Sequence, residues 1–144
     1  CKAEGIHTCL DTSGVGFGEY DEILKYTDLV LYDVKHLSET GYKDMTGFKI
    51  DETNKFLDAC KKSGTKLWIR QVVVPGKTDS EEYMLELKRF VNSLENVEKV
   101  ELLPYHLLGI NKYETLGLKY RLDGTPAMDK EKCKLLKEKF FSEF

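Results

Sequence analysis

Four short runs of this chain are apolar and rich in branched side chains, and each ends in polar residues that its hydrophobic pattern does not explain. The runs cover residues 6–12, 29–35, 66–74 and 100–106. An amphipathic stretch at helical spacing follows each run; after the third it contains Met84, Leu87 and Val91. Short strands that alternate with helices predict a parallel sheet packed against those helices. We therefore expect an α/β fold with four parallel strands in sequence order.

The polar residues at the ends of the four runs are the candidate site residues. They are Asp11, Asp33, Lys35, Arg70 and His106. In β/α folds the chemistry gathers at the carboxyl ends of the parallel strands, so these side chains should converge at one mouth. Such a set suits a zwitterionic ligand. Asp11 or Asp33 would hold its ammonium group, Lys35 its carboxylate, and Arg70 a second carbonyl or carboxylate.

Alternation along each strand predicts which side chains share the face that points into the mouth. In the second strand they are Leu29, Leu31, Asp33 and Lys35; in the third, Trp68, Arg70 and Val72; in the fourth, Leu102, Pro104 and His106. If these faces point inward, the mouth carries all the candidate groups of these three strands.

Each candidate also has a purely structural interpretation. Asp33 and Lys35 could form an ion pair at the rim of a barrel. Arg70 could be a surface residue if the faces are reversed, and His106 a satisfied structural group. Asp11 could initiate a turn. Their joint occurrence at equivalent ends of four strands favours a binding site.

The length of the chain limits its architecture. A closed parallel barrel typically uses about eight strands and roughly 250 residues, whereas this chain has 144 residues and four β/α units. The outermost strands would leave open edges, which natural proteins normally pair or cover. The start, Cys-Lys-Ala-Glu-Gly, resembles the last turn of a helix. We expect residues 1–144 to be the C-terminal part of a single larger domain, able to self-associate through its open edge.

Composition excludes several classes of function. Charged residues make up 33% of the chain and the net charge is −3, so no basic field indicates nucleic-acid binding. No apolar stretch approaches the ~20 residues of a membrane span, and no signal peptide is recognisable. The four cysteines are scattered without metal-ligand spacing, which predicts free, largely buried thiols in a reducing cytoplasm.

Four segments resemble, in order and spacing, the C-terminal portion of the pyruvate formate-lyase-activating enzyme family. They are Leu-Asp-Thr-Ser-Gly at 10–14, Leu-Tyr-Asp-Val-Lys at 31–35, Trp-Ile-Arg-Gln-Val-Val-Val-Pro-Gly at 68–76, and the segment 97–109 with its Leu-Leu-Pro-Tyr-His. The likeness runs over essentially the whole chain. Each motif alone is modest, but four in register are specific.

The resemblance implies a radical S-adenosylmethionine (SAM) enzyme with a partial, TIM-like (β/α)6 barrel, of which this chain would supply about four β–α units. In that family a [4Fe–4S] cluster cleaves SAM reductively, and the 5′-deoxyadenosyl radical takes a hydrogen from a glycine of pyruvate formate-lyase. The implied partners are therefore pyruvate formate-lyase and a flavodoxin or ferredoxin as electron donor, in the cytoplasm.

The resemblance also implies roles for residues. Positions that match Asp11, Asp33, Lys35 and His106 line the SAM site, and those that match Arg70 and Val72 lie towards the substrate peptide. Asp11, Thr12, the backbone of Leu31 and Asp33 match a monovalent-cation site.

One departure puts the activity of the isolated chain in doubt. The C-x-x-x-C-x-x-C cluster loop and the Gly-Gly-Glu motif of the family are absent, as they would be if the N-terminal units are missing. We expect neither catalysis nor bound cofactor in this chain alone. Two alternatives stay open: a stand-alone module that binds a protein through the long segment 107–128, and part of an unrelated β/α enzyme that binds a phosphorylated metabolite.

Overall fold

The computed structural model describes residues 1–144, and a four-stranded parallel sheet lies at its centre. The strands are β1 (Cys9–Thr12), β2 (Leu29–Val34), β3 (Lys66–Val73) and β4 (Val97–Pro104), and they pair in the order β1-β2-β3-β4. The prediction of four parallel strands in sequence order is confirmed. The fourth strand begins and ends earlier than the run 100–106, so His106 lies beyond it.

Six α-helices connect and follow the strands. They are α1 (Tyr20–Leu24), α2 (Glu39–Thr46), α3 (Asp51–Ser63), α4 (Glu81–Ser93), α5 (Ile110–Thr115) and α6 (Lys130–Phe141). A single 3₁₀ turn, Lys2–Glu4, precedes β1 and ends at Gly5, whose φ of 68° is left-handed. Helix α5 lies inside the long segment 107–128. None of the helices has the length and apolar composition needed to cross a membrane.

Capping residues and apolar spacing explain the two helices that cover β3 and β4. The hydroxyl of Ser80 accepts the Tyr83 amide at the start of α4, and the Asp129 carboxylate accepts the Lys132 amide at the start of α6. Met84, Leu87 and Val91 recur at helical spacing along α4 and are buried. Helix α4 thus buries one stripe in the core.

The two faces of the sheet differ in burial. Along β2 the side chains of Val30, Tyr32 and Val34 are buried, and those between them are only partly covered. β3 shows the same alternation. The buried side chains form one core of 22 residues with the helices. The sheet therefore has a packed outer face and an open inner face, and the inner face carries Asp33 and Arg70.

The register of β4 corrects one face assignment. Leu67 pairs with Val97 but Trp68 pairs with Lys99, so a bulge inserts one extra residue, Glu98, into β4. Lys99, Glu101 and Leu103 then share the inner face with Trp68, Arg70 and Val72. The prediction that Leu102 and Pro104 face inward is wrong. Leu102 packs against the core instead.

The cysteines are free, and they differ in burial. Cys60 and Cys133 are buried on α3 and α6. Cys1 and Cys9 are exposed, the latter because it lies on the outermost strand. The expectation of largely buried thiols therefore holds for two of the four.

Candidate functional site

Arg70 on β3 joins two carboxylates of the inner face. Its Nε donates to Asp33 Oδ1 over 2.7 Å, and its Nη2 donates to Asp11 Oδ1. Lys35 Nζ donates to the second oxygen of Asp33, Oδ2, over 2.9 Å. Four of the five candidates thus converge at the carboxyl ends of the first three strands. We call Asp11, Asp33, Lys35 and Arg70 the charge network.

The charge network is buried on one side and open on the other. The side chains of Arg70 and Asp33 are 17% and 24% exposed, whereas that of Asp11 is 61% exposed. Burial lowers the pKa of Arg70, but the hydrogen bond to Asp11 and the charge of Asp33 outweigh it, so its pKa lies above the ordinary value. Arg70 is therefore a permanent cation held between two carboxylates.

His106 lies outside the charge network. It is exposed and follows β4, where it lines a cavity of about 300 Å³ together with Val72 and Leu103. Three tyrosines, Pro104 and Gly109 complete the wall, and the hydroxyls of Tyr105 and Tyr120 are 2.7 Å apart. Val72 and Leu103 are inner-face residues, so this cavity opens on the same side of the sheet as the charge network.

Two charged residues of the inner face were not predicted from the sequence. Lys99 Nζ lies 4.5 Å from the centroid of the Trp68 ring and 2.6 Å from Glu101 Oε1. Glu101 is the register partner of Arg70 on β4. Alternation between charged 99 and 101 and apolar 100 and 102 is the signal that could have found this pair.

The largest cavity, of about 530 Å³, lies away from these residues. It is at the amino ends of the strands, among lysines and threonines around Asp28 and Lys66. Its lysines already pair with acidic side chains, as Lys2 does with Asp28 and Lys62 with Asp21. Ligands of parallel β/α folds bind at the carboxyl ends of the strands, so we do not assign a site at the amino ends.

Comparison with solved structures defines the class of fold. The chain superposes on a domain of pyruvate-formate lyase-activating enzyme from Bacteroides vulgatus with a TM-score of 0.74 at 21% identity, covering 99% of this chain and 80% of that one. A radical SAM methyltransferase from Sphaerobacter thermophilus gives 0.66 at 13% identity, covering 93% of this chain and 37% of that one. The fold is a partial β/α barrel like those of these two proteins.

Comparison of sequences is more specific. The chain is 54% identical over 143 residues to the pyruvate formate-lyase-activating enzyme of Clostridium pasteurianum, and 40% identical over 140 residues to that of Staphylococcus epidermidis. These matches cover 99% and 92% of this chain but only 60% and 56% of the two relatives. No protein-family model matches the chain. The chain is homologous to the pyruvate formate-lyase-activating enzymes, and the predicted resemblance is confirmed.

The residues present can be tested against the cofactors that such homology implies. The charge network offers carboxylate acceptors and cationic donors on the open side, which fits the ammonium and carboxylate of an amino-acid group such as that of SAM. A [4Fe–4S] cluster does not fit, because no group of three or more His, Cys, Asp or Glu side chains is placed to hold a metal. The cation role of Asp11, Thr12, Leu31 and Asp33 stays a prediction.

Proposed function

We propose that this chain is the SAM-binding and substrate-facing part of a pyruvate formate-lyase-activating enzyme. The observation that carries the proposal is the charge network on the open inner face, in a chain 54% identical to such an enzyme. When bound, SAM would supply the radical that takes a hydrogen from a glycine of pyruvate formate-lyase. The cluster and the electron donor, flavodoxin or ferredoxin, would act through residues that this chain does not contain.

The residues of this chain would bind SAM and hold it in one orientation. Asp11 is the more exposed carboxylate and accepts from Arg70 alone, so it has acceptor capacity left for the ammonium group of SAM. Lys35 is 35% exposed and can donate to the SAM carboxylate. Asp33 would hold both cations in place, because each of its oxygens accepts from one of them.

The cavity beside the charge network would take the rest of the ligand and the approach of the substrate. His106 lies at its rim, in position to donate to the ligand from outside the network. Val72 and Arg70 are neighbours on the inner face and would line the side from which the glycine-bearing peptide enters. A monovalent cation between Asp11, Thr12, the Leu31 carbonyl and Asp33 would neutralise charge next to the SAM carboxylate.

The test is the formation of a glycyl radical. The full-length activase that carries this chain is reduced anaerobically with SAM and pyruvate formate-lyase, and the radical is counted by electron paramagnetic resonance. Arg70→Lys should reduce the rate, because a lysine lacks the planar fork that joins two carboxylates. Arg89→Lys, at an exposed position of α4, is the matched control and should retain the rate.

Failure of the wild-type activase to form a radical on pyruvate formate-lyase, with the cluster and SAM both bound, would refute the proposal. Retention of the full rate by Arg70→Lys would refute the role of Arg70 while leaving the activity assigned.

A further inference from the structure

Behind the charge network, on the outer side of the sheet, lie three buried polar side chains from β3, the loop after it and α4. There Gln71 is 1% exposed, Thr78 0% and Tyr83 5%. Buried amides and hydroxyls destabilise a core unless they are hydrogen-bonded, so their presence needs a reason. We call these three residues, together with His36, the rear polar network.

Three of its members fix the carboxyl end of β3. The hydroxyl of Tyr83, from α4, donates to Gln71 Oε1 over 3.0 Å, and Gln71 Nε2 donates to the carbonyl of Val72 over 2.7 Å. The hydroxyl of Thr78 donates to the same carbonyl over 3.1 Å and accepts the amide of Val74 over 2.8 Å. The last peptides of β3 are therefore held by side chains as well as by the sheet.

The fourth member extends the contact to β2. The ring of His36 meets that of Tyr83 edge-on, with centroids 5.2 Å apart. His36 follows Lys35 directly, and its Nδ1 accepts the Ser38 amide over 3.1 Å. On its other side the ring lies against Gly41, where a Cβ atom would come within 2.1 Å of Cε1. The His36 ring is thus fixed between α2 and α4.

We propose that the rear polar network positions the charge network. Val34 pairs with Gln71 directly beside the pair of Asp33 with Arg70, and side chains alternate between the two faces. A shift of Gln71 or His36 on the outer face therefore moves Arg70 or Lys35 on the inner face. These four are positioning residues: they set the register in which one guanidinium bonds two carboxylates, and they do not touch a ligand themselves.

The test is nuclear magnetic resonance of this 144-residue chain, which measures the Nε–H exchange rate and the Nε chemical shift of Arg70 directly. Tyr83→Phe removes one hydroxyl and keeps the ring, so the core stays filled. We expect the Arg70 Nε–H to exchange with solvent roughly two- to tenfold faster, as for a weakened hydrogen bond, and its nitrogen shift to move towards that of a free arginine. Tyr42→Phe, another buried tyrosine but outside the network, is the matched control and should change neither.

Gly41→Ala separates positioning from general stability. Alanine favours a helix over glycine, so α2 alone should become more stable. The added methyl group must nevertheless displace the His36 ring, and we expect the Arg70 signal to change as in Tyr83→Phe without a matching fall in melting temperature.

The proposal is overturned if both variants leave the Arg70 exchange rate and shift unchanged, or if Tyr42→Phe changes them equally. That the rear polar network serves SAM binding rests on the proposed function, but these measurements use no SAM. A failed activase assay and a failed positioning test are therefore distinguishable.

Discussion

The geometry of Arg70 limits how the candidate site can use its charges. Its guanidinium bonds Asp33 through Nε and Asp11 through Nη2, so a ligand ammonium must share a carboxylate with it. Asp33 accepts from Arg70 and Lys35, so its loss would leave Lys35 without a partner and Arg70 with Asp11 alone. Asp33 is therefore the residue whose loss affects most of the network.

Asp33→Ala should weaken SAM binding to the full-length activase by about 1–3 kcal/mol, because two partly buried donors lose their acceptor. Isothermal calorimetry of the reduced, cluster-loaded enzyme measures this. Asp28→Asn is a fitting control: Asp28 is 28% exposed, is paired with Lys2 over 2.6 Å, and lies before β2 at the opposite end of the sheet. Equal losses in the two variants would contradict the role given to Asp33.

At the scale of elements, the sequence predicted the strands and all four members of the charge network. Buried alternation along β2 and β3 is a local property, so Asp33 and Arg70 could be assigned to the correct face. The face of β4 was assigned wrongly, although charged Lys99 and Glu101 alternate with apolar Val100 and Leu102. What the sequence did not indicate is the bulge at Glu98, which depends on how β4 pairs with β3. The rear polar network was not predicted, since Gln71 and Tyr83 meet only in the folded chain.

Asp79 ties the β3–α4 loop to α6. Its Oδ1 accepts the Gly76 amide over 2.7 Å, and its Oδ2 accepts from Lys132 over 2.6 Å. Burial raises the pKa of Asp79, but the hydrogen bonds from Lys132 and Gly76 outweigh this, so its pKa is lower than usual. The folded state therefore holds this proton less tightly than the unfolded chain does.

Because the pKa of Asp79 is lowered in the folded state, Asp79 stabilises the fold more at higher pH. The stabilisation by Asp79 is fully present above the unfolded pKa of about 3.9 and is lost as the pH falls through the lower, folded value. Asp79→Asn should reduce the free energy of unfolding at neutral pH by about 1 kcal/mol or less, since Lys132 is half-exposed. Urea unfolding should show the difference shrink below about pH 4.

The ion pair of Glu81 with Lys139 links α4 to α6 and serves as the control. Both side chains are more than half-exposed, so Glu81→Gln should leave stability nearly unchanged at any pH. A difference between Asp79→Asn and wild type that stays constant into the acid range would show that the charge of Asp79 is not responsible.

At the scale of the whole molecule, both β1 and β4 are edge strands with one neighbouring strand each. Strand β4 also packs against helix α6. Exposed apolar side chains lie before β1, in the loop from β1 to α1, on α1 and just after it. They are Ile6, Val15, Phe17, Ile23 and Tyr26. An unpaired strand beside an apolar surface favours association.

We therefore expect the 144-residue chain to self-associate through β1, with a sedimentation coefficient that rises with concentration in analytical ultracentrifugation. Phe17→Ser should shift the equilibrium towards monomer, because Phe17 is fully exposed in the loop after β1. Leu135→Ser removes an exposed apolar side chain from α6, far from β1 in the sequence, and should have no effect. A monomer at all concentrations, or equal effects of the two variants, would contradict this prediction.

Cofactor binding by this chain alone should fail for two reasons. Cys60 and Cys133 are buried on separate helices and only Cys1 and Cys9 are exposed, so three thiolates cannot meet at one cluster. Without the rest of the barrel to enclose it, SAM would depend on ion pairs open to water, each worth about 1 kcal/mol or less. We expect no stoichiometric [4Fe–4S] absorption after anaerobic reconstitution and no calorimetric signal for SAM at micromolar concentration. The full-length activase, treated identically, is the positive control and should give both. A well-formed cluster spectrum or tight SAM binding by residues 1–144 would show that these residues suffice for a cofactor site, and the assignment of cluster binding to other residues would be wrong.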